Sequence, residues 1–289
     1  MLLYLLLGAV LPLLTGLLIP FAPGAARHPG SDSKTELREA ALWVGLAAVV
    51  FGLGHWALNG GWQLWPSDVK HWMVHLALLG ALLAWLPLKV AGHVSILFSL
   101  AALPVLARPY IMHTWQSPWN WLAPVLACLF LLGWTFRFSR EPTAGEDSAD
   151  PRLASLRSLL PAALAASVAA AVVALSGSVK VGQQIGVLAA LVGGLVFASA
   201  LLRRNAVHVG RWLFTLLFLP QLWIAHLYAR LPLWMALILA LVPLLRSAFP
   251  PASTLGQELR RQIPGVALLA FVLVAALLAF RAASMAPPY

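Results

Sequence analysis

The chain is built from long apolar runs separated by short clusters of charge, and this alternation constrains its fold more than any other feature. A helix needs about 20 apolar residues to cross the hydrocarbon core of a bilayer, because each residue adds about 1.5 Å. The sequence therefore predicts an all-α integral membrane protein, a bundle of about ten transmembrane helices within a range of eight to ten. The predicted spans lie near residues 1–22, 40–58, 71–88, 91–107, 119–137, 156–176, 182–202, 209–228, 231–248 and 263–283.

Composition agrees with a membrane location and excludes several other classes of protein. Apolar residues make up 61% of the chain and charged residues 10%, whereas a soluble domain carries about 25% charged residues. A water-soluble enzyme, a disordered chain and a nucleic-acid-binding domain are therefore excluded. The single cysteine, Cys128, rules out an intramolecular disulfide and a CxxC site. The expected partners are the lipid bilayer and other membrane subunits, with no nucleic acid.

The basic residues predict how the chain is oriented. Lys and Arg concentrate in the cytoplasmic loops of membrane proteins, and with ten spans fourteen of the 19 basic residues fall on one side. We therefore expect both termini on the outer side of a bacterial cytoplasmic (inner) membrane. The first run opens without Lys or Arg, so it is predicted to be a retained helix rather than a cleaved signal peptide.

Two polar segments divide the apolar runs without being long enough to fold by themselves. Residues 139–155 form a predicted cytoplasmic loop between a first membrane half, 1–138, and a second membrane half, 156–289, with five spans each. Residues 23–39 form a second polar loop of similar composition. We expect no soluble domain, and no sequence repeat relates the two halves.

The predicted outer ends of the spans are rich in aromatic side chains and in histidine. Nine of the 13 Trp lie there, together with a predicted group of five histidines: His55, His71, His75, His113 and His226. His71 and His75 are spaced i and i+4, so they share one face of a helix. Neutral imidazole is a common metal ligand, which makes this group a candidate cofactor site, with haem as the candidate cofactor. The alternative is that these rings only anchor the interface.

Two of the outer segments are rich in tryptophan, namely GGWQLWPSD at 60–68 and HTWQSPWNW at 113–121. They resemble the tryptophan-rich outer loop of membrane haem systems of the cytochrome c assembly class, which implies a haem bound near outer histidines. Both segments lack the ordered Trp-Gly-x-x-Trp-x-Trp-Asp core of that class. No functional residue is carried over from it.

A stripe of small residues recurs at four-residue spacing along the seventh predicted span. Small residues let two helix backbones approach closely in a membrane, and the preceding span is rich in alanine. We therefore predict that the sixth and seventh spans pack as a close hairpin, with pure packing favoured over a substrate-lined crevice. The stripe consists of Gly182, Gly186, Ala190, Gly194 and Ala198.

The run GQQIGVLAALVGGLVFASALLRR, residues 182–204, contains this stripe. It resembles a helix of the drug/metabolite transporter superfamily, whose members have ten spans at about this length. The resemblance covers about 23 residues of mainly small and aliphatic type. It implies a ten-span transporter with both termini inside, which is opposite to the orientation that the loop charges predict.

The interior of the predicted spans contains few polar groups. No Asp or Glu lies in the middle of a span, which argues against a proton or cation pathway built on intramembrane carboxylates. The embedded polar side chains are His93, Ser95, Ser99, Ser199, Thr215 and Gln221.

Three functions follow as alternatives from these patterns. The sequence slightly favours a non-catalytic structural or assembly subunit of a membrane complex, and so leans away from an enzyme. The second alternative is a small-solute or lipid transporter, because a proline within a span bends the helix and frees a carbonyl. The third is a redox subunit that binds haem, quinone or metal at the outer histidines. The prolines in question are Pro12, Pro104, Pro124, Pro220 and Pro243.

Overall fold

The structure is a computed structural model, and in the part of the chain that it describes every regular element is helical. The predicted all-α class is confirmed for these residues. The fourth and fifth predicted spans, 91–107 and 119–137, lie outside the described residues except at a few positions. The described residues are 6–21, 34–61, 68–83, 106–108, 130, 133, 151–202, 207–248 and 254–285.

Eight α-helices follow one another along the described chain. Helix α1 is preceded by a π-helical turn at Leu6–Val10 and followed by a 3-10 turn at Ile19–Phe21. A 3-10 turn at Val69–His71 opens α3, and another at Val242–Ala248 continues α7. The helices are α1 (Leu11–Leu18), α2 (Lys34–Asn59), α3 (Trp72–Leu83), α4 (Pro151–Ser176), α5 (Val179–Leu202), α6 (Val207–Tyr228), α7 (Leu233–Leu241) and α8 (Leu255–Met285).

By length and composition, four of these helices contain stretches that are long and apolar enough to cross a membrane, as expected of an integral membrane protein. The stretches are Leu42–Asn59, Leu156–Ser176, Val179–Leu202 and Leu255–Met285. Four shorter apolar helical segments accompany them: Leu6–Phe21, Val69–Leu82, Phe214–Tyr228 and Leu233–Leu245. Helix α8 begins at Leu255, eight residues before the span predicted at 263–283, so it includes Glu258 and both Arg260 and Arg261.

Helix α6 lies at the centre of the described bundle. Every side chain from Phe214 to Ala225 is buried, and α2, α3, α4, α5 and α7 all pack against this helix. A helix that is apolar on all sides lies either in a protein interior or in contact with lipid, and residues 214–225 of α6 lie in the interior. Pro220 lies inside this buried stretch.

The small-residue stripe on α5 contacts two different helices. A Cβ added at Gly182 would lie 2.6 Å from the carbonyl oxygen of Ala170 on α4, whereas one added at Gly194 would lie 2.5 Å from the Leu13 carbonyl on α1. The reason is helical geometry, since a step of four residues advances about 40° around an α-helix with 3.6 residues per turn. The stripe winds around α5, so its early members face α4 and Gly194 faces α1.

Helix α8 lies at the edge of the described bundle. Its buried residues form one narrow stripe, whose spacing follows the helical repeat, and this stripe packs against α4 and α7. Between residues 263 and 280 the other residues of the helix are apolar and mostly exposed, including Ile263, Phe271 and Leu278. The buried stripe consists of Glu258, Gly265, Leu269, Val272 and Ala276.

The prolines of the sequence analysis occupy three kinds of position. Pro220 lies within α6, Pro12 lies in the first turn of α1, and Pro243 lies where α7 gives way to a 3-10 helix. Pro104 and Pro124 fall outside the described residues. Of the five, only Pro220 therefore interrupts the hydrogen bonds of a described helix interior.

Candidate functional site

Two buried histidines meet where the ends of three helices converge. His55 lies near the C-terminal end of α2, and His71 lies in the 3-10 turn that opens α3. Nε2 of His55 and Nδ1 of His71 are 3.0 Å apart, and the two rings meet edge to face with centroids 5.0 Å apart. His55 is only 1% exposed, so this contact is enclosed by protein.

The pair is completed by an amide from α5, 129 residues further along the chain than His55. Gln184, in the second turn of α5, places Nε2 at 2.8 Å from Nδ1 of His55 and is 1% exposed. Asn59 places its Nδ2 at 3.4 Å from the same ring nitrogen and donates to the His55 carbonyl oxygen at 3.0 Å. The His55 ring therefore connects α2, α3 and α5. We refer to His55, His71, Gln184 and Asn59 as the histidine cluster.

The hydrogen-bond partners assign the ring protons in the histidine cluster. Amide nitrogens only donate, so the Gln184 and Asn59 orientations in the structure make Nδ1 of His55 an acceptor. The His55 proton then resides on Nε2 and is donated to Nδ1 of His71, which places the His71 proton on its own Nε2. The result is a directed chain of hydrogen bonds from Gln184 through both rings, with each imidazole neutral.

The local sequence around the cluster fixes the ends of α2 and α3. Gly60 follows Asn59 with a φ of 73° and ends α2 by donating its N–H to the Trp56 carbonyl at 2.9 Å, a role that suits glycine because it lacks a Cβ. The Asp68 side chain then accepts the Lys70 backbone N–H at 3.2 Å and pairs with the Lys70 ammonium at 2.7 Å. This turn places His71 against His55.

Asp68 is the acidic group next to the cluster and lies outside the apolar segment of α3. Partial burial opposes ionisation of its carboxyl, but the hydrogen bonds from the Lys70 side chain and backbone outweigh that effect, with the charge of Lys70 adding to them. Together they hold the pKa of Asp68 below its ordinary value. The carboxylate therefore stays ionised at neutral pH and keeps the Asp68–Lys70 turn closed.

The other predicted site histidines occupy different positions. Nδ1 of His75 bonds to the His71 carbonyl oxygen at 3.1 Å, and its ring lies 5.5 Å from that of Trp72. Nδ1 of His226 bonds to the Leu231 carbonyl oxygen at 2.8 Å, within the connection between α6 and α7. The structure thus brings His55 and His71 into direct contact with His75 beside them, while His113 lies outside the described residues.

The arrangement of the pair does not fit an iron or zinc ion held between the two facing nitrogens. A metal between two opposed imidazoles requires about 2.0 Å to each nitrogen, or about 4 Å in total, and these nitrogens are 3.0 Å apart. Among the described residues no three His, Cys, Asp or Glu side chains are grouped so that they could hold a metal ion. The histidine cluster is arranged to share a proton.

Sequence reasoning missed Gln184 and Asn59 as members of this site. Gln184 and Gln183 are adjacent in the chain, and only their positions around the helix distinguish them. Gln183 is exposed, whereas Gln184 lies on a buried face of α5. The buried residues on that face are Leu188, Leu191 and Leu195. A polar residue on an otherwise apolar buried face was the signal that could have identified it.

Two further buried polar side chains lie elsewhere in the bundle. Glu258, in the first turn of α8, is 2% exposed, and Gln262 donates to its Oε1 at 2.9 Å while Oε2 has no partner. Gln221, on α6, has no partner for either amide atom. Gln221 is one of the embedded polar groups expected from the sequence, whereas Glu258 lies before the span predicted at 263–283.

Comparisons of the chain with protein-family models, with curated proteins and with solved structures find no match.

Proposed function

We propose that the chain is a ten-span protein of the bacterial inner membrane with both termini on the outer side. Four membrane-length helices and four shorter apolar segments support a polytopic protein. The charge distribution supports the orientation, because the predicted inner loops hold fourteen of the 19 basic residues. The turn at Gly60 and Gly61, which holds Asn59 beside His55, would then face the outer side.

Topology is tested with single cysteines in a Cys128→Ala background. We expect that Gly61→Cys, where added atoms meet nothing within 4 Å, reacts with a membrane-impermeant maleimide in intact cells. Ser148→Cys, in the predicted cytoplasmic loop, should react only after the cells are permeabilised. Labelling of Ser148→Cys alone in intact cells would show the reverse orientation, and labelling of both or neither would contradict the span count between them.

We infer that the protein is a small-solute transporter and that its conformation responds to protons. The second alternative of the sequence analysis was a small-solute or lipid transporter, and the response to protons is added here. The observation that carries this proposal is the buried contact between His55 and His71. Histidine titrates close to physiological pH, and a contact between two enclosed histidines at the ends of two helices is an arrangement that can act as a pH sensor. This pair also bonds to Gln184, so it links the first membrane half to the second.

Protonation would weaken that link between the halves. In the neutral pair one ring nitrogen donates and the facing one accepts; a doubly protonated His71 would place two N–H groups opposite each other. No carboxylate among the described residues bonds directly to either ring, so an imidazolium would lack a bonded countercharge from this part of the chain. The charged and titratable groups that face the pair are Asp68 and Lys70 before α3, His75 on α3 and Lys180 at the start of α5.

The proposal is tested with His71→Asn, because the Asn side-chain oxygen can replace Nδ1 as the acceptor but does not titrate. Purified protein in liposomes is supplied with labelled amides, sugars, polyols and amino acids at pH values from about 5 to 8, the range in which histidine titrates. We expect wild-type uptake of at least one solute to depend on pH, and the His71→Asn variant to lose that dependence.

The free energy of unfolding of the wild type should fall towards pH 5, since the unfolded chain binds more protons there than the folded chain does.

His226→Asn is the matched control, since it removes a histidine that bonds to the Leu231 carbonyl and does not contact the cluster. We expect this variant to keep the pH dependence of uptake. Absence of protein-dependent uptake for every class of solute would contradict a transporter. An unchanged pH profile in His71→Asn would contradict the role of the pair.

A second candidate function is the membrane-complex subunit that the sequence analysis slightly favoured. The observation that supports it is the wide exposed apolar face of α8, which includes Ile263, Phe271 and Leu278. Another membrane-spanning chain would pack against this face. Extraction from native membranes in mild detergent tests it by particle mass. A single chain in detergent with no co-purifying subunit would overturn this candidate.

A further inference from the structure

Gln221 is enclosed on all sides yet makes no hydrogen bond. It is 0% exposed, and neither its amide nitrogen nor its amide oxygen has a partner. Most buried polar atoms in proteins are paired, because an unmet buried amide costs about 1–3 kcal/mol. Gln221 also lies on the central helix α6, about 10 Å from its Tyr228 end at 1.5 Å per residue.

Pro220, directly before Gln221, removes one backbone hydrogen-bond donor from α6. Pro220 has no N–H, so it cannot donate to the carbonyl oxygen of Leu216 one turn earlier. A helix that lacks this bond also bends more easily at that point. In membrane transporters, interrupted helices near the membrane centre are the places where substrates are bound.

We propose that Gln221 binds a small neutral molecule that carries a hydrogen-bond donor and an acceptor side by side, as a primary amide or urea does. The side-chain amide of Gln221 presents N–H and C=O in one plane, and its complement is a second planar group with the same two functions. Two parallel hydrogen bonds would satisfy both unpaired atoms of Gln221. This inference rests on the proposed transporter function and names its class of substrate.

The charge of the surroundings favours a neutral ligand. Residues 214–228 of α6 contain no Asp, Glu, Lys or Arg. In the five described helices that pack against α6, Asp, Glu, Lys and Arg occur only within the first seven residues of a helix, and the helices at Trp72–Leu83 and Leu233–Leu241 contain none. The described helix interiors therefore offer no countercharge to an ionic solute, and burying an unpaired charge is far more costly than burying an amide.

The inference is tested with Gln221→Leu, which removes the amide and keeps a similar volume. A glutamine that only supports the fold would lower the melting temperature when replaced. Because the Gln221 amide is unpaired in this enclosed state, we expect the opposite, a melting temperature equal to or higher than that of the wild type. We also expect protein-dependent uptake of labelled urea into liposomes to fall about tenfold or more, the factor that corresponds to about 1.4 kcal/mol.

Binding is measured separately from transport by the thermal shift of the purified protein with acetamide or with acetone. Acetone has the acetamide carbonyl but no N–H, so we expect acetamide alone to raise the melting temperature of the wild type and neither compound to affect Gln221→Leu. The control is Gln183→Leu, at an exposed glutamine of α5, which should behave as the wild type in both assays.

The outcomes separate this inference from the proposed function. Wild-type protein that transports other solutes but shows no acetamide shift and no urea uptake would overturn the amide site and leave the transporter standing. A Gln221→Leu variant with a lower melting temperature, or with unchanged urea uptake, would also overturn it. Absence of transport for every solute, with the acetamide shift retained, would contradict the transporter instead.

Discussion

A single methyl group added at Gly194 is expected to destabilise the protein by about 1–3 kcal/mol, the cost of overpacking a tight contact. The added Cβ would lie 2.5 Å from the Leu13 carbonyl oxygen and 3.0 Å from the Leu17 backbone nitrogen. Both atoms belong to the backbone of α1, so no side chain can rotate away. The contact between α1 and α5 is equally close at Gly16 of α1, where an added Cβ would collide with the Leu191 carbonyl oxygen of α5. The measurement is thermal unfolding of Gly194→Ala in detergent.

Gly193→Ala is the matched control for this prediction. It adds the same methyl group one residue away on the same helix, where nothing lies within 4 Å of the new Cβ. Because alanine favours a helix over glycine by about 1 kcal/mol, we expect Gly193→Ala to be neutral or stabilising. Equal melting temperatures for Gly193→Ala and Gly194→Ala would show that α1 and α5 do not cross at Gly194.

Replacing His55 by leucine is expected to cost about 2–5 kcal/mol of stability. The substitution leaves the Nδ1 of His71 and the amide of Gln184 buried with no partner from His55, and each unmet group costs about 1–3 kcal/mol. We expect a lower melting temperature for the purified protein and less folded protein in the membrane.

A double-mutant cycle separates this hydrogen-bond network from simple loss of packing. The double variant His55→Leu with Gln184→Leu removes the unmet amide together with its partner. Its loss in the free energy of unfolding should therefore be smaller than the sum of the losses in the two single variants. His55→Leu with Gln183→Leu is the control, and its effects should add because Gln183 is exposed. Strict additivity in the first pair would contradict a hydrogen bond between Gln184 and His55.

The histidine cluster illustrates how much of a site in a membrane protein is visible in its sequence. His55, His71 and His75 were identified because polar rings stand out at the ends of apolar runs. Gln184 is 129 residues from His55 along the chain, and no local pattern connects the two. Their contact depends on the packing of α2 against α5, which the periodicity of one helix does not specify.

The small-residue stripe on α5 gives the same lesson for packing. Its spacing was visible as a sequence pattern, together with the expectation of a close partner helix. The division of the stripe, with Gly182 against α4 and Gly194 against α1, follows from the angle that accumulates along the helix. The alanine-rich span before α5 was the partner expected from the sequence, but nothing in the pattern of small residues indicated that Gly194 would contact α1.

The sequence alone determined two properties of this protein: that its apolar runs suit a lipid bilayer, and that its secondary structure is helical. Long apolar runs must form helices in a bilayer, because lipid cannot satisfy backbone hydrogen bonds. The tertiary structure decided which polar side chains are enclosed together. It placed His55 and His71 in contact, and it surrounded Gln221 on α6 without giving it a partner. The sequence shows that a polar side chain is present. Whether that side chain has a hydrogen-bond partner depends on the distances between helices that are far apart in the chain.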